Sequence, residues 1–379
     1  MNDRIKVSMV STDTNIGGAG KCVLMLAGGL DTEKFDVTVI LPPKSDLMPE
    51  LERLGVKAVE ADGIADKSYD PAAVRSLRAA FAGTSPDIVH AHASFSARIA
   101  AKREGIPVVF TRHSAFPPSK IMTKPPIKNI LGAVNEHYAD GIIAVAEAAK
   151  QNLVDTGVHP DKIRVILNGT AGYRRYSGGE VRAARGRYGI PEGNRVVSIV
   201  GRVEDYKGQE YFIDAADIVL RSLENVTFMV VGTGSFLEKY KEKARALGRG
   251  CDIIFTGFTD DIEGIANITD IIVNESVGTE TTSLALLEAM SVGVPVVASD
   301  YGGNTKVVRD GVNGIIVPQR DPSATAKAIL RLLSDGELYS GMSLAAERIF
   351  RGEYTSERMV RETGEYYLEV LRGKEGRAK

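Results

Sequence analysis

The chain has 379 residues, 44% of them apolar and 25% charged, with a formal net charge of −2. These proportions exclude a disordered chain, and the near balance of charge excludes a protein that binds nucleic acid as a whole. The length exceeds what one ordinary core organises, so two domains are expected.

Ile5–Val10 is an apolar run ending in the polar loop Ser11–Asn15, and Ile16-Gly17-Gly18-Ala19-Gly20 opens a helix over Lys21–Leu30. Strands are expected at Val37–Leu41, Val56–Val59, Asp87–His90, Val108–Thr111, Gly141–Val145 and Arg164–Leu167, with helices at Leu47–Leu54 and Ala72–Phe81. The pattern breaks over Asn168–Gly179, which is rich in glycine and tyrosine and reads as an interdomain linker. A second alternation follows, with strands at Val196–Val200, Val226–Val231, Asp252–Phe255, Ile271–Val273, Val294–Ala298 and Gly314–Val317. Helices are expected at Gln209–Leu223, Leu237–Leu247 and Ser323–Leu333. Strands alternating with helices predict an α/β protein with parallel sheets covered on both faces. The tail Ser356–Leu371 is amphipathic and either returns to the first domain or covers the second; the final GKEGRAK reads as disordered. The domains expected are 1–170, 171–355 and a C-terminal helical segment 356–379.

Cys22 and Cys251 are the only cysteines and lie far apart, so neither a disulfide framework nor a cysteine zinc site is expected. The charged start MNDRIKVSMV shows no secretory signal, and no apolar run reaches the length of a membrane span, so a cytoplasmic location is expected.

In open α/β sheets ligands bind beyond the carboxyl ends of the strands. That rule selects Gly17-Gly18, His90, His92, Arg112-His113, Arg202, Gly232–Gly234, Gly257 and Glu275–Ser283. The two halves each contribute, so a cleft between them is the expected site. Gly17–Lys21 fails as a P-loop, because Asn15 and Cys22 stand where a glycine and a hydroxyl are needed, and it fails as a dinucleotide fingerprint for want of a third glycine. A glycine turn at a helix N-terminus, able to approach an anion, remains.

Arg202 and Lys207 flank one loop after a buried strand, where a guanidinium and an ammonium suit phosphate oxygens. His90 and His92 share one strand face, but no third metal ligand lies nearby and no Asp-x-Asp pair occurs, so no metal is expected; the pair reads as cleft-facing histidines, with plain packing favoured for one of them. His113 reads either as a surface loop histidine or as a polar group at a reacting centre. Glu288 is the only charge in the apolar helix Leu284–Met290 and should be buried. It then needs a partner, either a ligand diol or an internal cation. Residues 98–128 hold Arg98, Lys102, Arg103, Arg112, Lys120, Lys124 and Lys128 against the single acid Glu104. This segment reads as a solvated loop or as a surface for an anionic membrane.

Glu280 and Glu288, with seven residues between them and followed by the rest of EAMSVGVPVVASDYGG, resemble the E-x7-E signature of the retaining family 4 glycosyltransferases, the glycosyl transferases group 1 with the GT-B fold. Ile16–Ala19, DIVHAH at 87–92, Thr111-Arg112-His113, Ile163–Gly169, Gly201–Gly208 and Val231–Gly234 resemble that family's other motifs in order over most of the chain. The resemblance implies two Rossmann-like domains facing a central cleft, the first on the acceptor side and the second on the donor side. It implies that Arg202 and Lys207 bind a nucleoside diphosphate, that Glu288 holds the ribose and that Glu280 holds the transferred sugar. Thr282, Ser283 and Leu284 would meet sugar and phosphate through their backbone, while Gly18 and Gly232 approach the donor and Phe258 lies by the base. His113 would sit beside the reacting sugar.

The implied reaction is metal-independent transfer of a hexose-type sugar, without a cofactor, from a nucleoside-diphosphate sugar such as a UDP-sugar. The implied acceptor is a saccharide or a lipid-linked molecule in polysaccharide or glycolipid assembly, at a location that is cytoplasmic or peripheral to the membrane. A GT-B nucleotide-sugar epimerase, a sugar phosphorylase and a non-catalytic sugar-nucleotide-binding scaffold are the alternatives. The chain departs from the family in having Thr281-Thr282-Ser283 for Gly-Phe-Gly, Asn168-Gly169-Thr170-Ala171 for N-G-V-D, and Lys306 for a glutamate. The first and third changes touch the sugar side of the implied site.

Overall fold

The computed structural model describes residues 4–250 and 252–375. The chain divides into two compact units, one formed by the chain up to Gly169 together with the segment from Ser356, the other by Thr170–Thr355.

The first unit runs β1 (Ile5–Ser11), α1 (Gly18–Gly29), β2 (Phe35–Leu41), α2 (Leu47–Arg53), β3 (Lys57–Glu60), α3 (Pro71–Thr84), β4 (Ile88–His92) and α4 (Phe95–Arg103). It continues with β5 (Val108–Arg112), α5 (Ile127–His137), β6 (Gly141–Ala144), α6 (Glu147–Asp155) and β7 (Ile163–Val165). The strands pair in parallel in the order β3-β2-β1-β4-β5-β6-β7. Alternate residues of each strand serve opposite faces: Val7 and Met9 of β1 join one apolar cluster, Val10 the other.

The second unit runs α7 (Gly178–Arg187), β8 (Arg195–Val200), α8 (Gln209–Leu220), β9 (Val226–Val231), α9 (Leu237–Ala246), β10 (Ile253–Gly257), α10 (Ile262–Ile268) and β11 (Ile271–Asn274). It ends with α11 (Leu284–Ser291), β12 (Val296–Ser299), α12 (Asn304–Val307), β13 (Gly314–Val317), α13 (Pro322–Ser334) and α14 (Gly336–Glu353). Its parallel order is β10-β9-β8-β11-β12-β13. Val197 and Ile199 face one core, Val196 the other. Both units are thus doubly wound and Rossmann-like. In each, the strand order reverses between the first and fourth strands, β1 and β4 in one and β8 and β11 in the other. That reversal parts the loops above the sheet and opens a crevice at the strand ends.

The chain then returns to the first unit with α15 (Ser356–Glu375), which packs along α1. Val360 lies against Gly29, and Gly364 against Leu30 and Phe35. Of the two placements open for the tail, the one on the first unit is observed.

Several boundaries differ from expectation. Gly178 and Gly179 open α7 rather than closing the linker, because Ser177 and Glu180 form a reciprocal capping box. Gly373–Glu375, expected to be disordered, extend α15, while 376–379 lie outside the described residues. The 18-residue α14 was not anticipated; three glycines interrupt its apolar spacing, and the Asp335 side chain caps it at Leu338 N.

Candidate active site

In the second unit the loops after β8 and β11 meet at the switch point. The loop from β8 carries Arg202, then a tight 3-10 turn, Asp205–Lys207, closed by Gly208 in the left-handed region at φ +79°. A side chain at Gly208 would collide with the Glu275 carbonyl and Cβ just past β11, so only glycine lets this turn settle there. The position of Gly208 places Lys207 above the loop that follows β11.

Glu280 lies in that loop and is only 7% exposed. Its Oε2 accepts from Lys207 Nζ at 3.0 Å, Ser276 Oγ at 3.0 Å and Asn274 Nδ2 at 3.2 Å. Asn274 and Ser276 stand two apart at the end of β11, so the strand's alternation points both toward Glu280. Beneath them Asn304 Nδ2 reaches Ser299 O at 3.2 Å and Asn274 Oδ1 at 3.4 Å, and Ser299 Oγ donates to Ser276 O at 2.8 Å. The carboxylate therefore rests on a buried polar network. Asn274 and Asn304 were not singled out from the sequence; for Asn274 the available signal was its period-two spacing from Ser276 at a strand end.

The next segment is held down from above. Gly303 N donates to Glu280 O at 2.9 Å, and a side chain at Gly303 would run into the Thr281 carbonyl. The Gly302-Gly303 turn is thus a steric requirement of the glutamate loop. Thr282 is buried, Ser283 occupies the N-cap of α11 without a side-chain cap, and Leu284 begins the helix. The helix end leaves backbone donors and a partial positive charge.

Glu288, on α11, is 5% exposed. Tyr173, from the segment before α7, shares a hydrogen bond with it. Burial pushes the Tyr173 phenol pKa up, and the Glu288 charge and their shared hydrogen bond push it further. Tyr173 N also donates to Ser291 Oγ at 2.9 Å, which donates in turn to Glu288 O at 2.6 Å. The former linker segment is laced to α11.

Gly232 N donates to Gly257 O at 3.0 Å, so its amide is engaged within the protein. Its lack of a side chain is what the packing uses, because a Cβ would strike the Gly201 carbonyl. Phe258, just beyond β10, is 74% exposed. Arg202 is exposed; its carbonyl accepts from Gln209 Nε2 at 2.9 Å.

In the first unit Gly18 opens α1 with open space where a side chain would stand. The histidines separate in role. His90 is fully buried, with Nδ1 2.6 Å from Tyr367 Oη of α15 and Nε2 2.6 Å from Thr111 Oγ1. Both nitrogens are engaged, which ends the reading of His90 and His92 as a metal pair or as two ligand-facing histidines. His92 Nδ1 lies 2.8 Å from His113 Nε2, with the rings stacked. Burial lowers all three pKa values, to about 3 for His90, so all are neutral at pH 7. Among the described residues no group of three His, Cys, Asp or Glu is arranged to hold a metal ion.

The basic segment is also divided. Arg98 is buried, bonded to Asn135 and the Tyr138 carbonyl and set over the Phe110 ring, and Arg112 bonds to Ser114 O and Asn152. Arg98 thus belongs to no surface, and Arg112 is half-buried. Lys120 and Lys124 remain exposed, alongside Phe116, Ile121 and Ile130.

Residues 16–171 match the family described as Glycosyltransferase Family 4, and residues 180–348 match Glycosyl transferases group 1. The D-inositol 3-phosphate glycosyltransferase of Acidothermus cellulolyticus is 30% identical over 358 residues, spanning 84% of this chain and 79% of the relative. That of Salinispora arenicola is 28% identical over 375 residues, spanning 88% and 83%. The crystal structure of Anabaena Alr3699/HepE in complex with UDP and glucose superposes with a TM-score of 0.82 at 20% identity, covering 96% of this chain and 99% of that one. Fold and family together define a glycosyltransferase with the GT-B fold. The chain belongs to the glycosyl transferases group 1, with a family 4 first half.

Proposed function

We propose that this glycosyltransferase moves a hexose-type sugar from a nucleoside-diphosphate sugar to a saccharide or lipid-linked acceptor, with retention of anomeric configuration and without a metal. One observation carries the reading: Lys207 and Glu280 meet across the β8/β11 switch point, beside the uncapped N-terminus of α11. Arg202, Lys207 and the helix end supply positive potential for a departing diphosphate, the part of the transition state that gains charge. They offer the stabilisation that a metal supplies elsewhere. Glu280 and the backbone of Thr282, Ser283 and Leu284 would read the sugar, and Glu288 the ribose. Phe258 would lie by the base. Gly18 and Gly232 allow close approach of the donor, and His113 would contact the reacting sugar. The sequence offers no obvious carboxylate nucleophile, so we propose attack on the same face that the diphosphate leaves, with the departing phosphate taking the acceptor proton.

The UDP and glucose bound by HepE make UDP-glucose the first donor to test. The inositol phosphate named for the relatives is a polyol acceptor to try beside saccharides and lipid-linked sugars. Thermal-shift screening against nucleoside diphosphates and their sugars, followed by transfer assays, tests the reading. Stabilisation by none of them would remove it, and binding without transfer would favour the non-catalytic scaffold.

We also propose that the first unit touches an anionic membrane through Lys120, Lys124, Phe116 and Ile121, where exposed apolar side chains are interleaved with exposed lysines. Among the described residues no helix is long and apolar enough to cross a membrane, so such contact would be peripheral.

A further inference from the structure

Glu275 is the one residue between Asn274 and Ser276, and the strand alternation turns it away from Glu280. It is fully buried. Its Oε1 lies in hydrogen-bond contact with Thr325 Oγ1, and its Oε2 is buried without a partner. A charged oxygen without a donor is among the costliest arrangements in a protein interior. The Thr325 hydroxyl has one proton, yet it sits within bonding distance of two acceptors, Glu275 Oε1 and the Asp321 carbonyl at 3.2 Å. Both contacts are satisfied only when Glu275 itself carries a proton on Oε1 and donates it to Thr325. The unpartnered Oε2 is then a neutral carbonyl, which is far less costly to bury.

The surroundings agree. The charged group acting on Glu275 is Asp321, the N-cap of α13, which repels a second negative charge. From α8 the Gly208 turn presents backbone, flanked by Lys207, which is paired with Glu280, and by the neutral amide of Gln209. Gln209 gives its N–H to Arg202 O and keeps its own Oε1 buried without a donor. Burial first, then Asp321, raises the Glu275 pKa to about 7, against a lowering by Thr325.

We infer that Glu275 is a positioning residue, held as the neutral acid under the Lys207–Gly208 turn, and that its ionisation weakens binding of the donor diphosphate. This rests on the reading that Arg202 and Lys207 hold that diphosphate. An ionised Glu275 has two courses. It stays unpaired and opposes a diphosphate above it, or it draws Lys207 from Glu280 and dismantles the pair that carries the site. Either course couples proton loss to donor loss.

The test uses the full chain and UDP-glucose, whose diphosphate diester does not titrate in the range examined. Wild-type affinity, measured by calorimetry, should fall roughly fivefold between about pH 6 and about pH 8.5, with proton uptake on binding near neutrality, seen in buffers of different ionisation enthalpy. Glu275→Gln, a neutral isostere, should keep the low-pH affinity at every pH and take up no proton. Glu275→Ala should bind weakly throughout. Equal pH dependence in wild type and Glu275→Gln, or a Glu275→Gln variant as weak as Glu275→Ala, overturns the inference. Infrared difference spectra between the two pH limits provide a readout without ligand: a protonated carboxyl band should be present in wild type and missing from Glu275→Gln. Absence of that band in wild type also overturns it. Failure of UDP-glucose and all other nucleotide sugars to bind at any pH, with the band present, counts against the transferase reading and removes the coupling, while leaving the protonation assignment standing.

Discussion

Lys207 Nζ and Glu280 Oε2 stand 3.0 Å apart at the switch point of the second unit, the lysine a quarter exposed and the glutamate nearly buried. Each is assigned to a different part of the donor, Lys207 to the diphosphate and Glu280 to the sugar. Under that proposal, a donor that drew Lys207 toward phosphate would free Glu280 for sugar hydroxyls, and recognition of the two parts would be linked through one contact. Lys207→Met and Glu280→Gln should each weaken UDP-glucose binding, and the double variant should lose less than the sum. A coupling of about 1–3 kcal/mol is expected from a cycle of binding measurements, and additivity would show that the pair is not a link.

Glu288 and Tyr173 make a second testable pair. Glu288→Ala should reduce nucleotide affinity about 10- to 100-fold if the carboxylate holds the ribose, with the fold kept and a stability loss of about 1–3 kcal/mol from the stranded Tyr173 phenol. Full activity in that variant would remove the ribose assignment. Tyr173→Phe should cost about 1 kcal/mol of stability in urea titrations, the worth of one hydrogen bond.

The Gly302-Gly303 turn predicts a local effect. Gly303→Ala should push the Thr281 carbonyl and displace the sugar-side loop. Transfer should fall about 100-fold with far-ultraviolet circular dichroism unchanged, since small misplacements of reacting groups are that costly. An active Gly303→Ala enzyme would show that the loop tolerates movement.

The two units should respond to pH in opposite directions. Folding holds His90, His92 and His113 below the ordinary imidazole pKa near 6.5, so their contribution is fully present above that value and is lost as pH falls through it. Glu275 is raised from 4.5 to about 7, so its contribution is fully present below about 4.5 and declines as pH rises toward 7. Hydrogen exchange read by unit should show β4 and β5 losing protection as pH falls below about 6.5 and the start of α13 losing it as pH rises from about 4.5 to about 7. Glu275→Gln should abolish only the second change.

For the membrane surface, Lys124→Ala should reduce partitioning onto anionic vesicles about fivefold, near 1 kcal/mol for one lysine, with Ile121→Ser adding to the loss. Unchanged partitioning of the double variant would leave this segment as a solvated loop.

The parallel strands were legible because each is an apolar run closed by polar or glycine residues, and Val226–Val231 and Gly314–Val317 match their expected limits. Glu280 and Glu288 were legible as a spaced pair, and the burial of Glu288 followed from its apolar helix. The partners were not legible. Tyr173 lay inside a stretch without periodicity, and nothing local joins it to Glu288. The Asn274–Ser276–Asn304 network depends on which strand lies beside β11. His90 read as a candidate ligand because its partner Tyr367 is 277 residues away. Contacts closed over that span leave no trace in local pattern.

Tyr367 also bears on synthesis. The second unit is one uninterrupted stretch set between two parts of the first, so the emerging chain holds every residue of the second unit before α15 exists. Until that helix leaves the ribosome, Leu30, Phe35 and the His90 imidazole lack their cover. The unit that begins first is therefore completed last, and its apolar flank is open to chaperones throughout the making of its neighbour.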